Sequence, residues 1–337
     1  MHASMASPDT VASRRRPRFE PFGPNPDPTP ADGPDPYGNG DPEWLRIDWS
    51  DHLSMLELGS ARVNYAELGP PEAEQDPLAL VFVHGLSGCW QNWLENIPHF
   101  ARRHRVLALD LPGFGSSPVP DWEIKIPAYA RLLLEFCDAV GISDCAVVGS
   151  SMGGFVAAEA AISQPERFEK LVLVSAAGVS SARLRREPTE VAARMIAAAT
   201  PLAFRAQTRA FRRPRARAMA FAGIFDRPGK LRPELVWEFF DGGVRAQSFV
   251  EALSSLAGYD FLDRLGEVSV PTLIVWGRKD RVVPPADALG YQRRLSRSRL
   301  EVFDRCGHVP MAERPVRFNG LVDEFLTTAE EPPPASP

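Results

Sequence analysis

The 337-residue sequence has no apolar run of the length, about 18 residues, that reads as a membrane-spanning helix. Cysteine is scarce. The four present, Cys89, Cys137, Cys145 and Cys306, form no C-x-x-C pair and no metal-ligand spacing. That excludes zinc-ribbon and dithiol redox motifs and leaves small buried thiols in a reducing compartment as the expectation. Nor is there a large excess of charge of either sign. The formal net charge is -5 with 24% charged residues, which gives no sign of a nucleic-acid partner. Arg14-Arg15-Arg16 lacks the apolar stretch that must follow the arginines of an export signal, so a cytoplasmic location is expected. No internal repeat is visible.

Proline is plentiful, and unevenly so. Residues 1–42 hold ten prolines and little that could build a core. Such sequence cannot bury enough apolar surface to offset its ordering entropy, so a disordered or loosely draped tail is expected there, with a second one over 329–337. Between the tails, strand and helix signals alternate. Ser54–Leu58 and Arg62–Leu68 read as a hairpin around Gly59-Ser60. Leu78–Val83, Val106–Leu109, Ala146–Val148, Leu171–Val174, Thr272–Trp276 and Leu300–Phe303 read as buried strands. Helical spacing marks Pro127–Val140, Met152–Ile162 and Glu313–Leu326. The alternation implies an α/β protein with a mostly parallel sheet and helices on both faces. From Gly178 to about Tyr259 the rhythm breaks into helical sequence without a clear strand. The expected organisation is a core over 43–177 and 261–328, with an inserted helical cap over 178–260.

Gly149-Ser150-Ser151-Met152-Gly153 is a G-x-S-x-G motif set between a strand and a helix. A nucleophile on so sharp a bend needs small residues two before and two after it, which Gly149 and Gly153 supply. Ser150 would be flanked by Val148 and Met152 instead, so Ser151 is the expected nucleophile. A serine hydroxyl needs a base. Of the six histidines only His308 follows the last strand, where the base of this architecture sits. The base needs an acid to fix its tautomer. Asp280 lies just past Thr272–Trp276, at the strand ends where catalytic groups gather in parallel sheets. The preceding strand offers no acid before Glu187, and Asp304 is too close to His308 along the chain. The turn His84-Gly85-Leu86-Ser87-Gly88 follows Leu78–Val83. Backbone N–H groups of Leu86 and Met152 are the expected donors to an oxyanion, and His84 is expected to order the loop.

These pieces resemble the α/β-hydrolase superfamily in its serine branch, over roughly residues 50–327. Asp110-Leu111-Pro112-Gly113-Phe114-Gly115-Ser116-Ser117 is similar to a further loop of that family. The resemblance implies an α/β-hydrolase fold with an eight-stranded sheet and a cap over the site. Ser151-Met152-Gly153-Gly154, the Gly-Phe-Gly-Ser loop and Phe318-Asn319 look like the C–C bond hydrolases of aromatic ring degradation. Ser-Met-Gly-Gly is shared with carboxylesterases, monoacylglycerol lipases and cofactor-free haloperoxidases. The C–C hydrolases usually carry a bulky aromatic after the histidine, where this chain has Val309. Epoxide hydrolases and haloalkane dehalogenases use an aspartate nucleophile, against which Ser151 speaks.

The leading expectation is therefore hydrolysis of a small to medium acyl or aromatic ester through an acyl-enzyme, without metal or cofactor. The alternatives are a C–C hydrolase of the meta-cleavage dienoate type, a haloperoxidase-like enzyme, and, last, a non-catalytic binding protein. Ten arginines between Arg183 and Arg217 face only Glu187 and Glu190. They read either as a solvated helix face with snorkelling stems or as a weak contact for anionic membrane or an acidic substrate. Phe204, Phe211, Phe221 and Phe225 lie among them, to pack or to line an acyl pocket. The sequence leaves oligomeric state open.

Overall fold

The computed structural model describes residues 37, 41–59, 61–70, 78–185, 187–189, 191, 194, 213–244 and 247–328. The expected tails over 1–42 and 329–337, the arginine triplet at 14–16, and Phe204 and Phe211 lie outside these residues, apart from Tyr37, Asp41 and Pro42.

Eight strands form one sheet: β1 (Leu53–Leu58), β2 (Ala61–Leu68), β3 (Ala79–Val83), β4 (Val106–Leu109), β5 (Cys145–Ser150), β6 (Phe168–Val174), β7 (Thr272–Gly277) and β8 (Ser298–Phe303). Their spatial order is β1-β2-β4-β3-β5-β6-β7-β8. Only the pairs β1/β2 and β2/β4 are antiparallel, and from β4 to β8 the sheet is parallel. The hairpin pairs Leu58 with Ala61, and Gly59 takes the positive φ of 50° that so short a turn requires.

The central strands read as unbroken apolar runs because both faces are covered. Alternate residues of β3 enter different cores. Val81 and Val83 pack on one side with Tyr129, Phe136, Phe155 and Tyr291. Leu80 and Phe82 pack on the other with Trp93, Phe100 and Phe318. Ile274 and Leu273 of β7 divide the same way. Helices α2 (Ile126–Ala139) and α3 (Met152–Ser163) cover the first face. Helix α3 is buried from Met152 to Ile162, as a helix apolar all round must be. Its glycines and alanines let it lie close on the sheet. The short α1 (Ile97–Phe100) covers the second face.

Between β6 and β7 no strand occurs among the described residues. That stretch supplies α4 (Pro214–Ala220), α5 (Pro233–Val244) and α6 (Phe249–Leu256). Phe221, Phe225, Phe239 and Phe240 form one aromatic cluster there, with Phe221 stacked on Phe240 at 4.3 Å. Phe221 and Phe225 are buried in it, which makes them packing residues. After β7 comes α7 (Ala286–Gln292).

The C-terminal region departs from expectation. In place of one helix starting at Glu313, α8 (Pro310–Glu313) ends there and α9 (Pro315–Thr327) begins after a break. Pro315 disfavours helical dihedrals at the residue before it, and Arg314 sits at φ -131°, ψ 55°. The break turns Glu313 inward: it is fully buried rather than the exposed first residue of an amphipathic helix.

Candidate active site

Ser151 stands between the end of β5 and the start of α3 with φ 54° and ψ -116°. A non-glycine residue in this region is strained and persists only where its surroundings over-determine it. Here three backbone bonds do so. The Ser151 N–H donates to Val174 O at 2.9 Å, and its carbonyl accepts from Ala177 N at 3.0 Å and Phe155 N at 3.2 Å. The flanking glycines are required by space. A Cβ on Gly149 would meet Gly153 O at 2.4 Å, and one on Gly153 would meet Val83 O at 2.2 Å. The tightest neighbour of Gly153 is thus the end of β3. Gly85 is pressed against the same turn, since its Cβ would lie 2.9 Å from Ser151 Cβ.

His308 lies in the loop after β8. Its Nδ1 is 2.8 Å from Asp280 Oδ2, with both side chains buried. Asp280 Oδ1 accepts from Val282 N at 2.8 Å and Val283 N at 3.0 Å, so the carboxylate is held by its own loop. A histidine that donates Nδ1–H to a carboxylate presents the lone pair of Nε2 as a base. Asp304 is occupied elsewhere, in an ion pair with Arg278. Arg281 donates to Ala222 O at 3.1 Å.

His84 is fully buried at the end of β3. Its Nδ1 lies 2.7 Å from Gly85 O, and its Nε2 accepts from Leu111 N at 2.9 Å. Burial pushes its pKa down to about 4, which keeps it neutral and suited to tying the Gly85 turn to the loop after β4. Asp110 organises that second loop, accepting from Trp90 N at 2.7 Å, Ser116 N at 2.9 Å and Asn64 Nδ2 at 2.8 Å. Burial raises its carboxyl to about 6 against those three donors.

Ser151 and His308 line one cavity of about 500 Å³, together with Gly85 and Leu86. Met152, whose N–H is the other expected oxyanion donor, has its side chain in the core. The cavity wall is apolar. The stretch between β6 and β7 gives it Leu184, Phe239, Phe240 and Phe249, and Val309 and Met311 close it beside His308. No Asp, Glu, Lys or Arg belongs to the described lining. No group of three His, Cys, Asp or Glu side chains among the described residues could hold a metal ion.

Residues 79–315 match the family model of the α/β-hydrolase fold. The chain belongs to this family. It is 30% identical over 285 residues to a 2-hydroxy-6-oxo-6-phenylhexa-2,4-dienoate hydrolase of Comamonas testosteroni, across 81% of this chain and 94% of that one. It is 31% identical over 293 residues to a 2-hydroxy-6-oxononadienedioate/2-hydroxy-6-oxononatrienedioate hydrolase of Burkholderia vietnamiensis, across 82% and 95%. Among solved structures it is similar to a membrane phospholipase A from a bacterium, a virulence factor, with a TM-score of 0.63, 27% identity and coverage of 82% and 86%. The α/β-hydrolase chain is thus a hydrolase of the serine branch, with relatives that act on small molecules. These likenesses back the C–C alternative better than ester cleavage.

Two residues near the site escaped the sequence reading. Glu313 sits behind the His308 loop, and Tyr37 reaches it from the proline-rich extension. The one signal for Glu313 was a lone acid after the apolar run Val309–Ala312. For Tyr37 it was the single tyrosine in a tail otherwise poor in anchors.

Proposed function

We propose that this α/β-hydrolase cleaves the C–C bond of a 2-hydroxy-6-oxo-dienoate carrying an apolar group at its acyl end. The observation that carries the substrate class is the aromatic wall of Phe239, Phe240 and Phe249 in the cavity of Ser151 and His308. A phenyl or alkyl substituent suits that wall. The C1 carboxylate that every such dienoate carries has the hydroxyls of Ser87, Ser180 and Ser181 in the lining to meet, whereas a second carboxylate, as in the dienedioates, would face the aromatic wall, which is costly.

In this reading His308 takes the Ser151 proton as Oγ attacks the C6 carbonyl carbon. Backbone N–H groups of Leu86 and Met152 receive the oxyanion. Asp280 holds the His308 tautomer and stabilises the imidazolium. Collapse breaks the C5–C6 bond, and its electron pair passes through C4 and C3 to the C2 oxygen, which takes the proton from His308. The departing electron pair is tolerable only when conjugated to the C2 carbonyl, so the dienol must first ketonise. Water then attacks the acyl-enzyme with His308 as base. One water is consumed, and a carboxylic acid and a 2-hydroxydienoate leave.

Ester hydrolysis by the same residues is the second reading. The apolar cavity, Val309 beside His308 and the likeness to a phospholipase A favour it. In either reading residues 178–260 act as a cap, supported by the share of the wall they supply. A weak anionic-membrane contact through that cap is supported by Arg213 and Arg215, exposed near Met219, which is 84% exposed. A cytoplasmic location is supported by four buried free cysteines.

The test is direct competition. Loss of the coloured 6-phenyl dienolate and release of p-nitrophenol from an acetate-to-palmitate series are measured on the same protein, with Ser151→Ala as control. Turnover of the dienoate above every ester supports C–C cleavage. Ester turnover alone reverses the assignment.

A further inference from the structure

Glu313 accepts hydrogen bonds from three separate segments. Its Oε1 takes the N–H of Gly307, the residue before His308, at 2.8 Å. Its Oε2 takes the N–H of Asp226 at 2.9 Å and the Tyr37 hydroxyl. The Tyr37 oxygen in turn accepts from Arg227 N at 2.7 Å, and the Arg314 guanidinium lies over its ring at 4.7 Å. The inserted stretch touches the His308 loop a second time, where His308 N donates to Ile224 O at 2.7 Å. The fit is tight: a Cβ on Gly307 would meet Ile224 O at 2.4 Å and Asp226 N at 2.8 Å.

We propose that Tyr37 and Glu313 are a positioning pair for His308. Together they clamp its backbone to residues 224–227, so that the proline-rich extension is a working part of the active site. The pair rests on the serine reading above and adds to it. Tyr37 lies outside the stretch matched by the family model, 79–315.

The donors decide which form of Glu313 does the work. Two N–H groups and a hydroxyl whose own oxygen is already engaged all point at the carboxylate. A proton on Oε2 would displace the Tyr37 bond and loosen the clamp. Burial raises the Glu313 carboxyl to about 7, with the Tyr37, Asp226 and Gly307 bonds opposing that rise. The other titratable and charged groups around it are Asp226 and Arg227 of the inserted stretch, Cys306 of the His308 loop, and Arg314. Asp280, which also acts on Cys306, is held against His308. Protonation of Glu313 near neutrality therefore releases His308 from its backbone side.

The test uses the full chain and an alkyl fluorophosphonate, which reports Ser151 reactivity whatever the substrate. Labelling rates are taken from pH 5 to 9 for wild type, Tyr37→Phe and Glu313→Gln, each shown folded by thermal melting. In the wild type the acid limb should be steeper than a single proton gives, by the proton that Glu313 takes. Tyr37→Phe keeps the ring over Arg314 but removes one bond to the carboxylate. It should move the limb up by about one pH unit and slow labelling at pH 6.5 about threefold, with rates converging on wild type at pH 9. Glu313→Gln cannot titrate and should reduce the slope to one.

A merely structural role would lower the rates equally at all pH values, or lower the melting temperature alone. Either result overturns the pair, as does a wild-type slope of one. Should Tyr37→Phe prove unstable, the slope in Glu313→Gln decides. Folded wild-type protein that does not label at all overturns the serine reading itself, and the pair with it.

Discussion

Asp280 and Glu313 are both buried carboxylates, and both reach the loop that carries His308, one at its side chain and one at the backbone. Asp280 meets the imidazole and draws its other support from Val282 and Val283, two and three residues along its own loop. Glu313 meets the backbone at Gly307 and draws its support from Asp226 and from Tyr37, 276 residues away. Local backbone donors make Asp280 self-contained, so it can work wherever β7 ends. Glu313 is complete only when the extension, the inserted stretch and the C-terminal region have all docked. The difference teaches where adjustability would lie in the proposed mechanism: the side-chain contact sets the chemistry, and the backbone clamp tunes it.

The sharpest way to break the comparison is to remove the proposed nucleophile, which both carboxylates would serve. Ser151→Ala should cut turnover by on the order of 10⁴-fold or more, with folding unchanged by circular dichroism. Asp280→Asn comes next, at about 10⁴-fold in kcat, because an amide can hold the wrong tautomer. Steady-state rates beside those of Glu313→Gln, expected to lose only about tenfold at pH 7, separate the two carboxylates. Equal losses would mean that Glu313 does more than position.

Gly153→Ala asks whether the elbow is as unforgiving as the 2.2 Å approach to Val83 O implies. A loss of roughly 3 kcal/mol is expected by urea unfolding. A change of under about 0.5 kcal/mol would show that the sheet end can give way.

Stability should also depend on pH, through Glu313 and His84 in opposite directions. Glu313, ordinarily near 4.5, is raised to about 7 in the fold. Between those values the folded chain keeps a proton that the unfolded chain has released. Its contribution is whole below pH 4.5 and is lost as pH rises through 7, by up to about 3 kcal/mol. His84 runs the opposite way. Held at about 4 rather than 6.5, it lets the unfolded chain protonate first, so stability is lost as pH falls from 6.5 to 4. Urea midpoints of wild type and Glu313→Gln at pH 5 and 7 isolate the first effect. Their gap should change between the two pH values. A constant gap would mean that Glu313 titrates alike in both states.

The smallest expected effect is on the cap. Arg213→Ser with Arg215→Ser should weaken binding to anionic vesicles about threefold to tenfold at low salt, without altering kcat. Unchanged sedimentation with the vesicles would remove the membrane contact from the proposal.

The sheet and most of the site were legible because their determinants are local. Apolar runs of three to six residues between turn and helix signals mark buried parallel strands. Gly149 and Gly153 phase the elbow on Ser151, and the order of strands leaves His308 as the one histidine past the last of them. The helix expected from Glu313 was started two residues early because amphipathic spacing continues through Pro315. The proline ring breaks the helix there and sends Glu313 inward.

The sequence by itself thus determined the fold, the candidate nucleophile, base and acid, and the glycines the turn cannot do without. These follow from backbone sterics and from periodicity within a few residues. The tertiary structure alone decided the apolar character of the cavity, the burial of Phe221 and Phe225 in a cluster, and the meeting of Tyr37, Asp226 and Glu313 behind His308. Those depend on which distant segments pack together, and packing is settled by the shape and volume of the whole core rather than by the pattern of any one stretch.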